Sequence, residues 1–332
     1  MIHAIAAEAV GVPIIAVASR TAESATERAQ QIGCRTVGYD DLPAGADIVV
    51  IATPPSTHAE QTIAALQAGA TVLVEKPLAT TLAEADAIVE AAGIASGQVI
   101  YAENQAYAPV IGEAMRRIAD LGPLEYLDIR ALSPRPSWGG FLEPAWGGGC
   151  LFDLGAHPIA LALLAAGEDP TRSVRATLER SADIEVDDHA IVDLDFASGL
   201  RAHLEVSWRD ASTTWDLQAS NATGVVRCEL LPTIGLEQDG EPIGVVSAPG
   251  KVDEFVHDLG YLAQFEDLRR LALDPGASSN NVLGPPMDAV FGRRVLEVIC
   301  AAYASARSGI ESLPFAGPRD RTPHQLWTAI AD

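Results

Sequence analysis

At 332 residues the chain is too long for one ordinary core and suits two domains. Its 48% hydrophobic and 20% charged residues mark a globular protein, and no apolar run reaches the length that spans a bilayer. A formal net charge of −23 repels phosphate backbones, so nucleic acid is excluded as the expected partner.

The opening "MIHAIAAEAVGV" lacks the basic n-region and cleavage site of a signal peptide and is compatible with a helix. "PIIAVAS" (13–19), short and β-branched, predicts a strand. "TAESATERAQQIG" (21–33) predicts a helix closed by Gly33. "ADIVVIATP" (46–54) predicts a second strand. "STHAEQTIAALQAG" (56–69) predicts a helix capped by Ser56 or Thr57 and stopped at Gly69. "TVLVE" (71–75) is a third strand, "TLAEADAIVEAAG" (81–93) a helix and "QVIYAEN" (98–104) a fourth strand. Strands that are apolar throughout and alternate with helices imply a parallel sheet covered on both faces. Residues 1–122 are therefore expected to form an α/β Rossmann-type domain.

The pattern then changes. One helix, "LFDLGAHPIALALLAAG" (151–167), precedes "SVRATLERS", "HAIVDLDF", "LRAHLEVSW", "TWDLQAS" and "GVVRCELL". Several of these alternate apolar and polar residues, as half-exposed antiparallel strands do. "ASG" (197–199) and "NATG" (221–224) supply tight turns. Helices are expected near 254–273 and 286–308, with "DPGASSNNVLGPP" (274–286) as a loop between them. Residues 123–332 are thus expected to be an α+β domain with a large, mostly antiparallel open sheet, its closing helix able to pack back on the first domain. Cys34, Cys150, Cys228 and Cys300 lack metal-site spacing, so no metal site is expected and the thiols read as reduced in a cytoplasmic protein.

A dinucleotide-binding domain normally opens with a strand, then G-x-G-x-x-G, then a helix. This chain opens in what reads as that helix, so the first strand and the glycine loop are missing ahead of His3. Losing a central strand would leave neighbouring backbone groups unpaired at a cost of several kcal/mol. Either a start set too far downstream or a sheet repaired in another way is expected. "PIIAVASR" then fills the role of the second strand, and at its end Ser19 and Arg20 occupy the place where an acidic residue usually holds the ribose. An arginine fork welcomes a 2′-phosphate, which favours NADP(H) over NAD(H); the plain alternative is a surface arginine.

Three stretches carry candidate chemistry. In "TVLVEKPLAT" (71–80), Lys76 is one of only two lysines, with Lys251. It ends a parallel strand, where open α/β sheets bind ligands. A lysine there can donate to a substrate oxygen, and partial desolvation is expected to lower its pKa toward acid–base work. Pro77 biases Lys76 to extended geometry. The alternative is a lysine snorkelling to water. In "WGGGCLFDLGAHPIAL" (146–161), three glycines allow a backbone to approach a ligand closely. Asp153 and His157, four apart, would share one helix face, where a carboxylate orients an imidazole for proton transfer. Pro158 predicts a kink or a later helix start. A glycine loop capping a buried helix, with Asp153 as the cap, explains the same residues; Cys150 reads as a small buried side chain. "ATPPSTH" (52–58) can turn a helix N-terminus toward a phosphate or ribose, or be only a Pro-rich turn with an N-cap. Trp138 and Trp146 flank the glycines and can stack on a sugar or an arene, or simply pack. His3, His189, His203, His257 and His324 have no partners legible in sequence and read as surface or satisfied core residues.

"TPPSTH", "VEKPLATT", "GGGCLFDLGAHPIAL" and "RRVLEVICAAYASARSGIESLPF" (293–315), in that order, resemble the Gfo/Idh/MocA oxidoreductases, the glucose–fructose oxidoreductase and inositol dehydrogenase group. The resemblance covers nearly the whole chain. It implies reversible hydride transfer between a nicotinamide and a secondary alcohol or carbonyl of a sugar- or cyclitol-like small molecule. It also implies a homodimer or homotetramer built through the second-domain sheet. By position, Lys76 would polarise the reacting oxygen, His157 would be the general acid/base, and Asp153 would orient it or bind substrate hydroxyls. Thr53, Pro54, His58, Glu75, Lys76 and Asn104 would line the cofactor, with Ser19 and Arg20 at the adenosine ribose. A non-catalytic sensor of a sugar-like ligand, or a dehydrogenase for a non-sugar such as a dihydrodiol, fits the same motifs.

Overall fold

The computed structural model describes every residue except 43, 138, 246–252, 275, 278–285 and 330–332. Trp138, and most of the loop expected at 274–286, lie outside the described residues. The first part runs α1 (Ile2–Ala9), β1 (Ala16–Val17), α2 (Ala22–Ile32), β2 (Arg35–Thr36), β3 (Ile48–Ile51), α3 (His58–Gln67), β4 (Thr71–Glu75), α4 (Leu82–Ile94), β5 (Val99–Ala102) and α5 (Pro109–Leu121). Local chemistry sets the helix ends. Thr21 accepts the Ser24 N–H at the start of α2, and Gly33 closes that helix at φ 84°. Thr81 and Glu84 form a capping box on α4.

β3, β4 and β5 form one parallel sheet, with Val49 opposite Val72 and Leu73 opposite Ile100. β1 and β2 form a separate parallel pair. Among the described residues no ladder joins β1 to β3, so the parallel strands form a pair and a triplet instead of one sheet. The strand expected over 13–19 is correspondingly short, since only Ala16 and Val17 find a partner.

The second part contains β6 (Tyr126–Pro134), α6 (Cys150–Asp153), α7 (Ala156–Ala166), β7 (Thr171–Glu179), β8 (His189–Phe196), β9 (Arg201–Ser207), β10 (Arg209–Asn221), β11 (Gly224–Leu231), β12 (Gly235–Gln238) and β13 (Glu241–Pro242). After these come α8 (Glu254–Asp258), α9 (Tyr261–Leu273), α10 (Ala289–Ser308), β14 (Glu311–Ser312) and α11 (Pro323–Thr328). Nine strands build one sheet in the order β13-β12-β11-β10-β6-β9-β8-β7-β14. Every pairing in it is antiparallel except β6 with β9. β6, which the sequence reading did not single out, lies in the middle of this sheet. It alternates as its neighbours do, burying Leu127, Ile129 and Ala131. α5, α7 and α10 cover the inner face.

The helices expected near 254–273 and 286–308 return to the parallel strands. α9 packs on α1, β3 and β4, with Phe265 and Leu268 at most 1% exposed. Apolar side chains withdrawn this far from water contribute about 2 kcal/mol each, an upper estimate. α10 touches α4 and β5 on one side and α7 and β7 on the other. Gly292 allows this close approach, because a Cβ there would lie 2.7 Å from the Tyr101 ring.

Candidate active site

The buried run Val72–Leu73–Val74 ends in Glu75 and Lys76, whose side chain keeps 16% of its surface exposed. Lys76 Nζ donates to Asp153 Oδ1 at 2.6 Å and to the Asp153 carbonyl at 2.9 Å. Burial pulls the lysine pKa down, but the Asp153 charge and hydrogen bond, then the charges of Glu75 and Glu103, outweigh it. The ammonium is held above its ordinary value. The lowered pKa expected from desolvation is therefore corrected: a lysine among three carboxylates stays charged.

Asp153 and His157 do not share one helix. α6 ends at Asp153, α7 begins at Ala156, and the stretch Pro144–Asp153 meets α7 at 50°. The break falls before Pro158, which sits in the first turn of α7, where its missing N–H is harmless. Gly155 permits the break, since a Cβ there would be 2.4 Å from the Leu151 carbonyl oxygen. The two side chains consequently serve different partners. Asp153 takes Lys76, while His157 Nδ1 donates to Glu103 Oε1 at 2.8 Å and Oε2 at 2.9 Å. The His157 ring packs 5.4 Å from Trp215 at 37°. Among the described residues no hydrogen bond reaches His157 Nε2.

The glycine run is filled by protein. A Cβ on Gly149 would stand 2.1 Å from the Asp187 carbonyl oxygen, and one on Gly148 would stand 2.5 Å from Phe152 Cβ. The fully buried Asp187 carboxylate accepts the N–H groups of Gly149 and Leu151 at 3.1 and 2.9 Å, together with the Tyr303 hydroxyl. It fixes the helix turn that carries Asp153. Cys150 donates to the same carboxylate, and burial pushes its thiol well above the ordinary range, so it is no nucleophile.

The remaining candidates divide. Glu75 accepts the Lys76 N–H on Oε2 and His3 Nε2–H at 2.7 Å on Oε1. Burial raises its pKa, but the bond and charge of His3 and the charge of Lys76 leave it lowered. Thr53 and Pro54 stand partly exposed beyond β3, with Thr53 hydrogen-bonded to Gln61 and Thr57. His58 is fully buried and its ring spans the Pro77 and Thr53 carbonyls at 2.9 Å each. Burial lowers its pKa; the neutral ring has one N–H and can donate to only one of these carbonyls, and the ring holds the turn instead of facing a ligand. Asn104 likewise spends its amide on the Leu259 carbonyl at 2.7 Å. Arg20 is exposed beyond β1 and forms no ion pair among the described residues, with Ser19 beside it. The first turn of α1 has no side-chain cap. The open arginine beside the partly exposed Ser19 hydroxyl offers donors of the kind a dinucleotide accepts. Trp146 lies across Gly140 and packs edge-on against Phe141 at 4.9 Å. A concavity of about 640 Å³ on the outer sheet face, lined by Arg130 and Arg227 among several carboxylates, is separate from this cluster. Glu103, Trp215 and His3 are the site residues that sequence reasoning missed.

Two family models match the chain: an oxidoreductase family with an NAD-binding Rossmann fold over residues 2–103, and a GFO/IDH/MocA C-terminal domain over residues 114–227. The chain is 34% identical over 167 residues to dTDP-3,4-didehydro-2,6-dideoxy-alpha-D-glucose 3-reductase of Streptomyces violaceoruber, spanning 46% of this chain and 47% of that protein. It is thus similar to about half the length of that relative. To D-glucoside 3-dehydrogenase of Escherichia coli K12 it is 25% identical over 327 residues, 89% of this chain and 88% of the other. The crystal structure of GenD2 from gentamicin A biosynthesis, in complex with NAD, superposes with a TM-score of 0.81 at 26% identity, covering 93% of each chain. No single helix among the described residues is long and apolar enough to cross a membrane.

Proposed function

The chain belongs to the GFO/IDH/MocA oxidoreductase family, and from that premise we propose that it moves a hydride between an NAD(P) nicotinamide and a secondary alcohol or carbonyl carbon of a sugar- or cyclitol-like substrate. One observation carries the reading: the Lys76–Asp153 pair sits within electrostatic reach of a buried Glu103–His157 pair at the end of a parallel strand. Bound NAD(P) supplies the hydride acceptor or donor. Asp153 occupies two of the three Lys76 donors, which leaves the third for the reacting oxygen. In the oxidising direction His157 Nε2 takes the hydroxyl proton while Lys76 stabilises the oxygen as it gains charge. In the reducing direction the imidazole returns that proton.

Two relatives named for oxidation or reduction at position 3 of glucose derivatives support a pyranose-type ring as substrate. The exposed Arg20, which forms no ion pair among the described residues, supports NADP(H) over NAD(H). The outer face of the nine-stranded sheet is the surface we assign to a homodimer or homotetramer. Four free cysteines support a cytoplasmic setting.

The test is a screen of glucosides, nucleotide sugars, inositols and dihydrodiols with either dinucleotide, followed by nicotinamide absorbance. The expected result is turnover on a sugar or cyclitol that disappears in Lys76→Ala. Sugar binding without turnover would favour the sensor reading, and turnover on dihydrodiols alone would move the substrate class.

A further inference from the structure

The side chain that orients His157 is not the one that the spacing of the motif suggested. Asp153, four residues before it, is committed to Lys76. The partner comes instead from the end of β5. Glu103 is fully buried, and both its oxygens lie within 2.9 Å of His157 Nδ1. Its other hydrogen bond among the described residues is the Gln105 N–H at 3.2 Å. No lysine or arginine forms an ion pair with it among those residues. A carboxylate this far from water is tenable only when the donors around it fill its acceptor sites, and the imidazole is the strongest one present.

We infer that Glu103 is a positioning residue of the reaction: it fixes the proton of His157 on Nδ1 and leaves the bare Nε2 facing the reacting oxygen. The inference rests on the dehydrogenase reading above. A neutral imidazole donates from one nitrogen and accepts at the other, and its partner decides which. Trp215, from the bulged part of β10, fixes the tilt of the ring from its flat side. With the ring so held, the alcohol O–H bond breaks and its proton passes to Nε2. In the reverse direction the N–H bond breaks and the proton returns to the carbonyl oxygen. The opposite tautomer would present an N–H to the alcohol and could not accept from it.

The experiment reads the ring directly. Long-range proton–nitrogen correlation spectra of histidine-labelled protein, with His157 assigned through His157→Gln, should show the Nδ1–H tautomer near neutral pH. In Glu103→Ala that signature should be lost and kcat should fall about 100-fold, with KM for substrate and Kd for NADPH within about twofold of wild type. Glu103→Gln keeps the shape and an acceptor oxygen. It should restore the tautomer and most of the turnover, which guards against a variant that merely misfolds. An Nε2–H tautomer in the wild type, or an unchanged signature in Glu103→Ala, overturns the inference. So does undiminished kcat. A wild-type protein without turnover on any secondary alcohol overturns the functional reading instead, because the spectrum reports the tautomer independently of turnover.

Discussion

β4 and β5 contribute Val72, Leu73, Val74, Ile100 and Tyr101 with no exposed surface, while β1 and β2 are two residues each and every side chain in them keeps contact with solvent. The first pair is covered by α9 and α10 and carries Lys76 and Glu103 at its ends. The second pair ends near Ser19 and Arg20, and among the described residues no ladder joins it to the triplet. The side chains proposed for the proton and oxygen chemistry stand at the ends of strands packed under helices. The stretch assigned to gripping the adenosine end stands on a light platform. Turnover and dinucleotide affinity should therefore be separable by mutation.

Lys76→Ala should break the comparison most severely. Turnover is expected to fall by about 1000-fold, while dinucleotide affinity by nicotinamide fluorescence changes less than about threefold. Equal losses in both would mean that the two regions act as one. Next come the glycines. Gly149→Ala forces a Cβ to within 2.1 Å of the Asp187 carbonyl oxygen and should lower unfolding free energy by about 3 kcal/mol in urea titration. Gly33→Ala meets nothing within 4 Å and has only its φ of 84° to oppose it, so about 1 kcal/mol is expected. A reversed order would contradict the contrast in packing. Arg20→Ala should weaken NADPH about tenfold and spare NADH. If both dinucleotides weaken alike, the arginine does not read the 2′-phosphate.

The smallest effect concerns pH. Because the carboxylates hold folded Lys76 above the ordinary lysine value of 10.5, its stabilising share is complete below that value. It fades as pH rises through the folded value. The stability gap between wild type and Lys76→Met should be constant from neutral pH to about 10 and narrow beyond it. A gap that closes near neutrality would show that the ammonium is lost early.

Much of this was legible in the residues. A continuous apolar run closing in a charged pair singled out Lys76 as a candidate, and the change from buried to alternating strands foretold a parallel sheet followed by a mostly antiparallel one. The glycine run was visible, but not its occupant, because Asp187 arrives from the loop before β8, more than thirty residues on. The spacing of Asp153 and His157 implied one helix, but the fold cuts that helix at Gly155. Glu103 was hidden for the same physical reason as His3. Each meets its partner across 54 and 72 residues of chain, a distance over which no local period carries information. The paired fate of α9, which covers the first domain from within the second half of the sequence, is likewise set by tertiary packing alone.

One helix has a mechanical meaning. The 20 residues of α10 make a rod about 30 Å long. Near one end Gly292 is pressed on Tyr101 of the parallel triplet, and near the other Ser305 accepts the Ala176 N–H of the large sheet at 3.0 Å. Such a rod works as a tie-bar: it denies the two halves a free hinge. The 2.6 Å contact between Lys76 and Asp153 is then made between two halves that the same strut braces.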